Sequence, residues 1–140
     1  MKIIIINGPN LNLLGKREPE IYGNQTFEDY FSLLKKKFPD VELEYFQSNH
    51  EGFLIDKIQE TGFSYDGIVI NPGAYTHYSY AIYDALKAVS TPAVEIHISD
   101  IETREDFRKK SVTKDACVLQ IKGKGLQGYD EAIDFLLKKA

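Results

Sequence analysis

Four consecutive isoleucines, Ile3-Ile4-Ile5-Ile6, open the chain with no polar alternation. As a strand, such a run is apolar on both faces and must be covered from both sides, which places it inside a parallel sheet. The rest of the sequence repeats the theme. Short apolar runs alternate with longer amphipathic segments. Strands are expected over residues 3–7, 41–47, 68–71, 93–98 and 116–121. Helices are expected over 27–37, 50–61, 77–89 and 126–139, with a shorter one over 104–110. Thr26, with Asp29 three residues on, forms nearly a capping box for the first helix. Asn49 can cap the second, and Gly62 can end it.

Strand-helix alternation at this spacing builds parallel β-α-β units with right-handed crossovers. About five strands with helices on both faces make a flavodoxin-like, doubly wound three-layer α/β sandwich. The 140 residues contain no repeat, low-complexity tract or linker. One domain, 1–140, is therefore expected.

Charge and composition narrow the function. The net charge is −4 and the basic residues are scattered, so no nucleic-acid partner is expected. Lys35-Lys36-Lys37 reads as a solvated helix end, where cations suit the helix dipole. Cys117 is the only cysteine, so no internal disulfide can form. Its apolar surroundings, Ala116-Cys117-Val118-Leu119, suit an inert buried thiol. The opening isoleucine run is too short for a signal segment or a membrane span, and no later stretch is long enough. No membrane partner is expected, and a cytoplasmic location is.

In a doubly wound sheet, ligands bind beyond the carboxyl ends of the strands, where the strand order reverses. Residues 7–23 form a long connection at the first such end. Connections in α/β units usually run to about 2–6 residues, and longer ones tend to be lids or binding loops. This one carries amides, a cation and the phenol of Tyr22; a mobile surface loop is the alternative. The third strand ends in Asn71-Pro72-Gly73-Ala74-Tyr75-Thr76-His77. Asn71 can donate and accept hydrogen bonds, and Gly73 lets the backbone approach a ligand. His77 falls in the first turn of the expected next helix.

The fourth strand is the most informative. In Val94-Glu95-Ile96-His97-Ile98-Ser99 the alternation puts Glu95, His97 and Ser99 on one face. An interior parallel strand should be apolar on both faces, and this one departs from the rule near its carboxyl end. An edge strand with a wet face is the alternative. Glu95 beside His97 favours a site, because a carboxylate can orient and charge an imidazole. Arg104 and Arg108 are four residues apart and can face one ligand from a helix; two solvated arginines are the alternative.

Several familiar patterns fail on their requirements. Gly123-Lys124-Gly125-Leu126-Gln127-Gly128 matches a dinucleotide fingerprint, but the chain ends 12 residues later. A further strand and an acidic residue about 20 positions on have no room, so it reads as a glycine-rich turn before a helix. A phosphoryl receiver would need acids where Asn7 and Asn71 stand. The first loop lacks the Ser, Thr and Gly content of a flavin-phosphate cradle. No GxSxG elbow or HExxH pair occurs, and the three histidines lack zinc-ligand spacing.

Four linked segments resemble one family. The opening Asn7-Gly8-Pro9-Asn10-Leu11-Asn12-Leu13-Leu14-Gly15, followed by Arg17-Glu18-Pro19 and Ile21-Tyr22-Gly23, is similar to that of the type II 3-dehydroquinate dehydratases. Gln47-Ser48-Asn49-His50-Glu51-Gly52, residues 70–77, and Glu95-Ile96-His97-Ile98-Ser99 with Arg104-Glu105 agree in order and spacing. The resemblance runs almost end to end. It implies conversion of 3-dehydroquinate to 3-dehydroshikimate and water by anti elimination through an enolate, in aromatic (chorismate) biosynthesis or quinate breakdown. It implies a flavodoxin-like fold, no metal, no cofactor and no Schiff base, and a homododecamer built from trimers. By motif position, Tyr22 matches the proton-abstracting tyrosine, Arg17 the arginine that activates it, and Asn10 an asparagine that helps stabilise the enolate. His97 matches the general acid and Glu95 the residue that orients it. Asn71, His77, Ser99 with the Ile98 backbone, and Arg108 match substrate contacts. Arg104 matches a basic residue near the lid, and Asp84 one that reaches a neighbouring subunit's site. One position departs: Asp100 stands where the family usually has Asn. Its charge either weakens anion binding or points away.

The chemistry is physically coherent. Dehydration beside a ketone needs a base for the α-proton, support for the enolate, and an acid for the leaving hydroxyl. Ionising a phenol of pKa near 10 at pH 7 costs about 4 kcal/mol. A close cation lowers a pKa by about 1–3 units, so Arg17 alone is borderline and Arg104 or Arg108 would help. Two readings of other classes stand beside this one: a ligand-binding module of the same fold without turnover, and a receiver-like signalling domain. The first conflicts with an intact Tyr22, Arg17 and His97 set, the second with the missing acids.

Overall fold

The computed structural model describes residues 1–16, 20 and 24–140. Tyr22 and Arg17, the expected base and its cation, lie outside the described residues.

The isoleucine run forms β1 (Lys2–Asn7), every residue of which is buried except Lys2. Around it lie β2 (Glu42–Gln47), β3 (Gly67–Asn71), β4 (Ala93–His97) and β5 (Leu119–Lys122). All pairings are parallel, and the order is β2-β1-β3-β4-β5. The α-helices described in full are α1 (Phe27–Lys37), α2 (Glu51–Thr61), α3 (Tyr80–Ala88) and α4 (Gln127–Lys139). Ile3 and Ile5 pack with Phe27, Leu34, Tyr129 and Ile133 on the α1 and α4 side. Ile4 and Ile6 pack with Leu54, Ile58, Ile82 and Leu86 on the α2 and α3 side. The two-sided cover demanded by the first strand is thus met by three layers, the expected flavodoxin-like α/β sandwich. Among the described residues, no helix is long and apolar enough to cross a membrane.

The chain leaves β1 for β2 on one flank and then returns to β3 on the other, so the order reverses between β1 and β3. Asn7 and Asn71 are register partners at that point.

Local chemistry explains where the elements begin and end. Thr26 caps α1 as expected, its hydroxyl accepting the Asp29 N–H at 3.1 Å, and Lys35, Lys36 and Lys37 fill the last turn. Asn49 does not cap α2. Its amide oxygen instead accepts the Asn10 N–H at 3.0 Å and Gln47 Nε2 at 3.2 Å, tying the first loop to the end of β2, and His50 occupies the cap position. Gly62 does end α2, but with right-handed torsions. The demand there is for space, because a Cβ would collide with Val89 and the Ile58 carbonyl.

Three boundaries depart from expectation. The 77–89 helix is split into a 3-10 turn over Gly73–His77 and α3. Ser79 accepts the Ile82 N–H at 3.0 Å, a cap that starts the regular helix three residues late. The expected 104–110 helix is a single 3-10 turn, Asp106–Arg108, set off from the preceding 3-10 turn, Ile101–Thr103, by an extended Arg104. The last strand begins at Leu119, since Lys114–Ala116 is a further 3-10 turn.

The first loop comes close to the third at Gly8, whose N–H donates to the Asn71 carbonyl at 2.7 Å. A Cβ there would lie 2.5 Å from the Pro72 carbonyl oxygen. Both contacts are backbone, so neither can swing aside. Gly8→Ala is expected to lower stability by roughly 1–3 kcal/mol, read as a lower urea midpoint at unchanged slope. An unaltered midpoint would show that the two loops separate freely.

Candidate active site

A cavity opens at the carboxyl ends of β1, β3 and β4, at the reversal of strand order. Its wall includes Asn10 from the first loop, Asn71, Gly73 and His77 from the third, and His97, Ile98, Ser99, Arg104 and Arg108 from the fourth. Eight of the expected site residues are thus brought together there: Asn10, Asn71, His77, His97, Ile98, Ser99, Arg104 and Arg108. Glu95 lies beneath His97 in the core. Asp84 does not line the cavity; it is exposed on α3.

Glu95 and His97 settle the alternative of a wet edge strand. β4 lies between β3 and β5, and all five of its residues are buried. The Glu95 carboxylate is fully withdrawn from water. It accepts from His97 Nε2 at 2.8 Å, Ser111 Oγ at 2.8 Å, Gln120 Nε2 at 2.7 Å and Thr76 Oγ1 at 3.2 Å. Thr113 donates to its other oxygen. Burial opposes ionisation, but the bonds from His97, Thr113 and Gln120 outweigh it and hold the carboxyl down at about 2. An ionised carboxylate only accepts hydrogen bonds, so His97 Nε2 carries a hydrogen. Nδ1 is then the nitrogen that can take up or release a proton.

His77 is held differently. Its Nδ1 lies 2.7 Å from the Lys110 carbonyl, which can only accept, so Nδ1 donates and a neutral ring offers Nε2 as an acceptor. Burial lowers its pKa, and His97 and Arg108 add to this against the Lys110 bond. The two imidazoles on the cavity wall therefore differ in chemistry.

Asn10 is the only non-glycine residue with positive φ among the described residues (φ 70°). Asparagine tolerates this left-handed conformation better than most residues. Strand β4 stops at His97, and Ile98 and Ser99 form a bend pinned from behind. Gly123 N–H donates to the His97 and Ser99 carbonyls at 3.2 Å each, and Gly125 N–H to that of Ile98 at 3.0 Å. Both glycines have positive φ (76° and 62°). The GxGxxG stretch therefore clamps the cavity wall. Arg108 pairs with Glu105 and lies over the Phe107 ring. Asp100 turns its carboxylate to the Glu102 N–H at 3.0 Å and is absent from the cavity wall.

Sequence reasoning missed Thr76, Ser111, Thr113 and Gln120 as partners of Glu95. Gln120 had a signal: it is polar in the last strand and is the register neighbour of Glu95. Among the described residues, two guanidiniums, two imidazoles and two amides on the wall suit an anionic, hydroxyl-rich ligand. The carboxylate-backed imidazole supplies acid-base capacity.

Comparison with known proteins agrees with this geometry. The family model described as Dehydroquinase class II matches residues 1–137. A 3-dehydroquinate dehydratase of Thermotoga petrophila is 52% identical over 141 aligned positions, covering 99% of this chain and 96% of that protein. One from Caldicellulosiruptor bescii is 56% identical over 131, covering 91% and 90%. The crystal structure of a type II dehydroquinase from Butyrivibrio crossotus superposes with a TM-score of 0.94 at 56% identity, covering 98% of this chain and 97% of that one.

The folded Glu95 carboxyl ionises below its ordinary value, so the stability it contributes is present above about pH 4.5 and is lost as pH falls toward 2. The stability difference between the wild type and Glu95→Gln should therefore shrink by about 3 kcal/mol between pH 5 and pH 2. Chemical denaturation across that range measures it. A difference independent of pH would mean that the buried carboxyl is not ionised.

Proposed function

The chain belongs to the class II dehydroquinase family, and from this premise we propose that it dehydrates 3-dehydroquinate to 3-dehydroshikimate, acting as one catalytic unit over residues 1–140. The observation that carries the reading is the buried Glu95–His97 pair at the wall of a cavity that also receives Arg104, Arg108, His77 and Asn71. That set can bind a carboxylate, orient hydroxyls and deliver a proton.

In the proposed reaction, the Tyr22 phenolate, activated by Arg17, takes the hydrogen on the carbon beside the ketone. The C–H electron pair becomes the enolate, which Asn10 helps to stabilise. The enolate then reforms the ketone as the new C=C bond forms and the C–O bond to the leaving hydroxyl breaks. His97 gives that hydroxyl its proton, and water departs. No electron is gained or lost overall, and the scheme asks for no metal and no cofactor. Glu95 holds the His97 ring and balances its charge. Asn71, His77, Ser99, the Ile98 backbone and Arg108 contact the substrate, with Arg104 at the lid. Neutral His77, with Nε2 as acceptor, fits a substrate hydroxyl. Asp100 spends its carboxylate on a turn, which favours the expectation that it points away from the substrate.

The same reading covers assembly and place. Phe53, Tyr78 and Tyr80 are large and more than half exposed, and aromatics are enriched at subunit contacts. They support a homododecamer of trimers in which Asp84 reaches a neighbour's site. The reaction belongs to aromatic biosynthesis or to quinate breakdown, in the cytoplasm.

Turnover is followed by the ultraviolet absorbance of the conjugated enone product, with chelator present throughout. Wild-type protein is expected to turn over unimpaired. Tyr22→Phe is expected to lower kcat by several orders of magnitude with folding intact. His97→Ala should depress kcat more than it raises KM. Near-normal turnover in Tyr22→Phe removes that residue from the mechanism, and a purely KM effect in His97→Ala removes the general-acid role. Light scattering should report a dodecamer; a monomer would overturn the proposed assembly.

A further inference from the structure

A second buried polar chain lies behind the cavity, on the opposite face of the sheet from Glu95, and the proposed reaction uses only its Asn71 end. Tyr129 of α4 is completely buried. Its hydroxyl donates to Asn7 Oδ1 at 2.8 Å and accepts from Asn71 Nδ2 at 3.2 Å. Burial raises the phenol above the ordinary tyrosine range, so it keeps its hydrogen.

The donor arithmetic constrains Asn71. A hydroxyl has one hydrogen, and here Asn7 receives it. The Tyr129 oxygen can then only accept from Asn71. On the other side, the Gly73 N–H donates to Asn71 Oδ1 at 3.1 Å. Both neighbours demand the same orientation of the amide, Oδ1 toward Gly73 and Nδ2 toward Tyr129. A flipped amide would set N–H against N–H at Gly73 and leave the Tyr129 oxygen without its donor. One Nδ2 hydrogen remains, on a residue that lines the cavity.

We propose that Tyr129 is a positioning residue: with Asn7 it fixes the Asn71 amide so that Asn71 meets the substrate as an N–H donor and not as a carbonyl acceptor. Tyr129 touches no substrate and acts through Asn71. The inference rests on the dehydratase reading for its kinetic test.

The experiment is a double-mutant cycle with 3-dehydroquinate, using wild type, Tyr129→Phe, Asn71→Ala and the double variant. Tyr129→Phe is expected to lower kcat/KM about tenfold, mainly through KM, as for the loss of one oriented hydrogen bond. In the Asn71→Ala background the same change should alter kcat/KM less than about twofold. Wild-type kinetics in Tyr129→Phe, or an equal loss in both backgrounds, overturns the proposal, because a purely structural role would act with or without Asn71. If Tyr129→Phe does not fold, Asn7→Ala tests the same logic. It frees the Tyr129 hydrogen to turn toward Asn71, and KM should again rise; an unchanged KM overturns the proposal. If the wild type itself shows no turnover, the dehydratase reading has failed. Asn71 orientation is then read from its side-chain amide by nitrogen-15 NMR. Exchange of those hydrogens with water should speed up at least tenfold in Tyr129→Phe, and unchanged exchange overturns the positioning role.

Discussion

A carboxylate cut off from water inside a parallel sheet is the constraint on which the rest of the structure depends. Burying an unpaired charge is prohibitive, so the surroundings of Glu95 must satisfy it. Its donors come from the turn after β3 (Thr76), the segment before β5 (Ser111 and Thr113) and β5 itself (Gln120). Each of these segments is therefore held against β4. The Val112 N–H to Thr76 carbonyl bond, at 2.7 Å, ties two of them directly. The Lys110 carbonyl, at the end of the arginine-bearing stretch, then reaches His77. The positions of His77, His97 and Arg108 thus follow from how one anion is accommodated.

The sheet order gives this arrangement its place. Reversal between β1 and β3 leaves a gap at their carboxyl ends, and β4 brings its histidine to the same edge. Polar groups enter from both faces. Glu95 and its donors lie on the side of α2 and α3, and Tyr129 with Asn7 on the side of α1 and α4. Loops alone would hold Asn71 and His97 loosely. Each is instead bonded from beneath to a group within the sheet or its covering helix, which fixes side-chain direction more closely than a loop does.

The legible part of the sequence was the part governed by short-range periodicity. The isoleucine run required two-sided cover, and the alternation through Glu95 and His97 placed both on one face. What periodicity could not reach was pairing over long separations. Ser111 and Gln120 lie 16 and 25 residues from Glu95, and Tyr129 lies 122 from Asn7. Nothing in the local pattern around Tyr129, a tyrosine in an amphipathic helix, marks it as more than core. One boundary differs where a cap lies inside the expected helix. His77 opened the expected helix, but Ser79 holds the better hydroxyl for a free N–H. The 104–110 segment has helical spacing of its arginines, yet its extended Arg104 serves the wall of the cavity rather than a helix. The glycine pattern at 123–128 reads in sequence as a turn before a helix, and in the structure its backbone N–H groups hold residues 97–99.

The two cavity histidines show how one residue type is given two functions by what stands behind it. His97 gives its Nε2 hydrogen to an anion, so a proton taken up at Nδ1 keeps a counter-charge beside it. His77 gives its Nδ1 hydrogen to a neutral carbonyl, and burial together with His97 and Arg108 works against a charge there. In the proposed reaction the first ring gives up a proton, and the second, its pKa lowered by burial, accepts a hydrogen bond. If both were backed by carboxylates, two imidazoliums would stand on the wall of one cavity. If neither were, the proposed reaction would lack its acid for the departing hydroxyl. The difference between Glu95 and a backbone carbonyl therefore divides the labour, and it does so in the buried layer behind the cavity rather than on its surface.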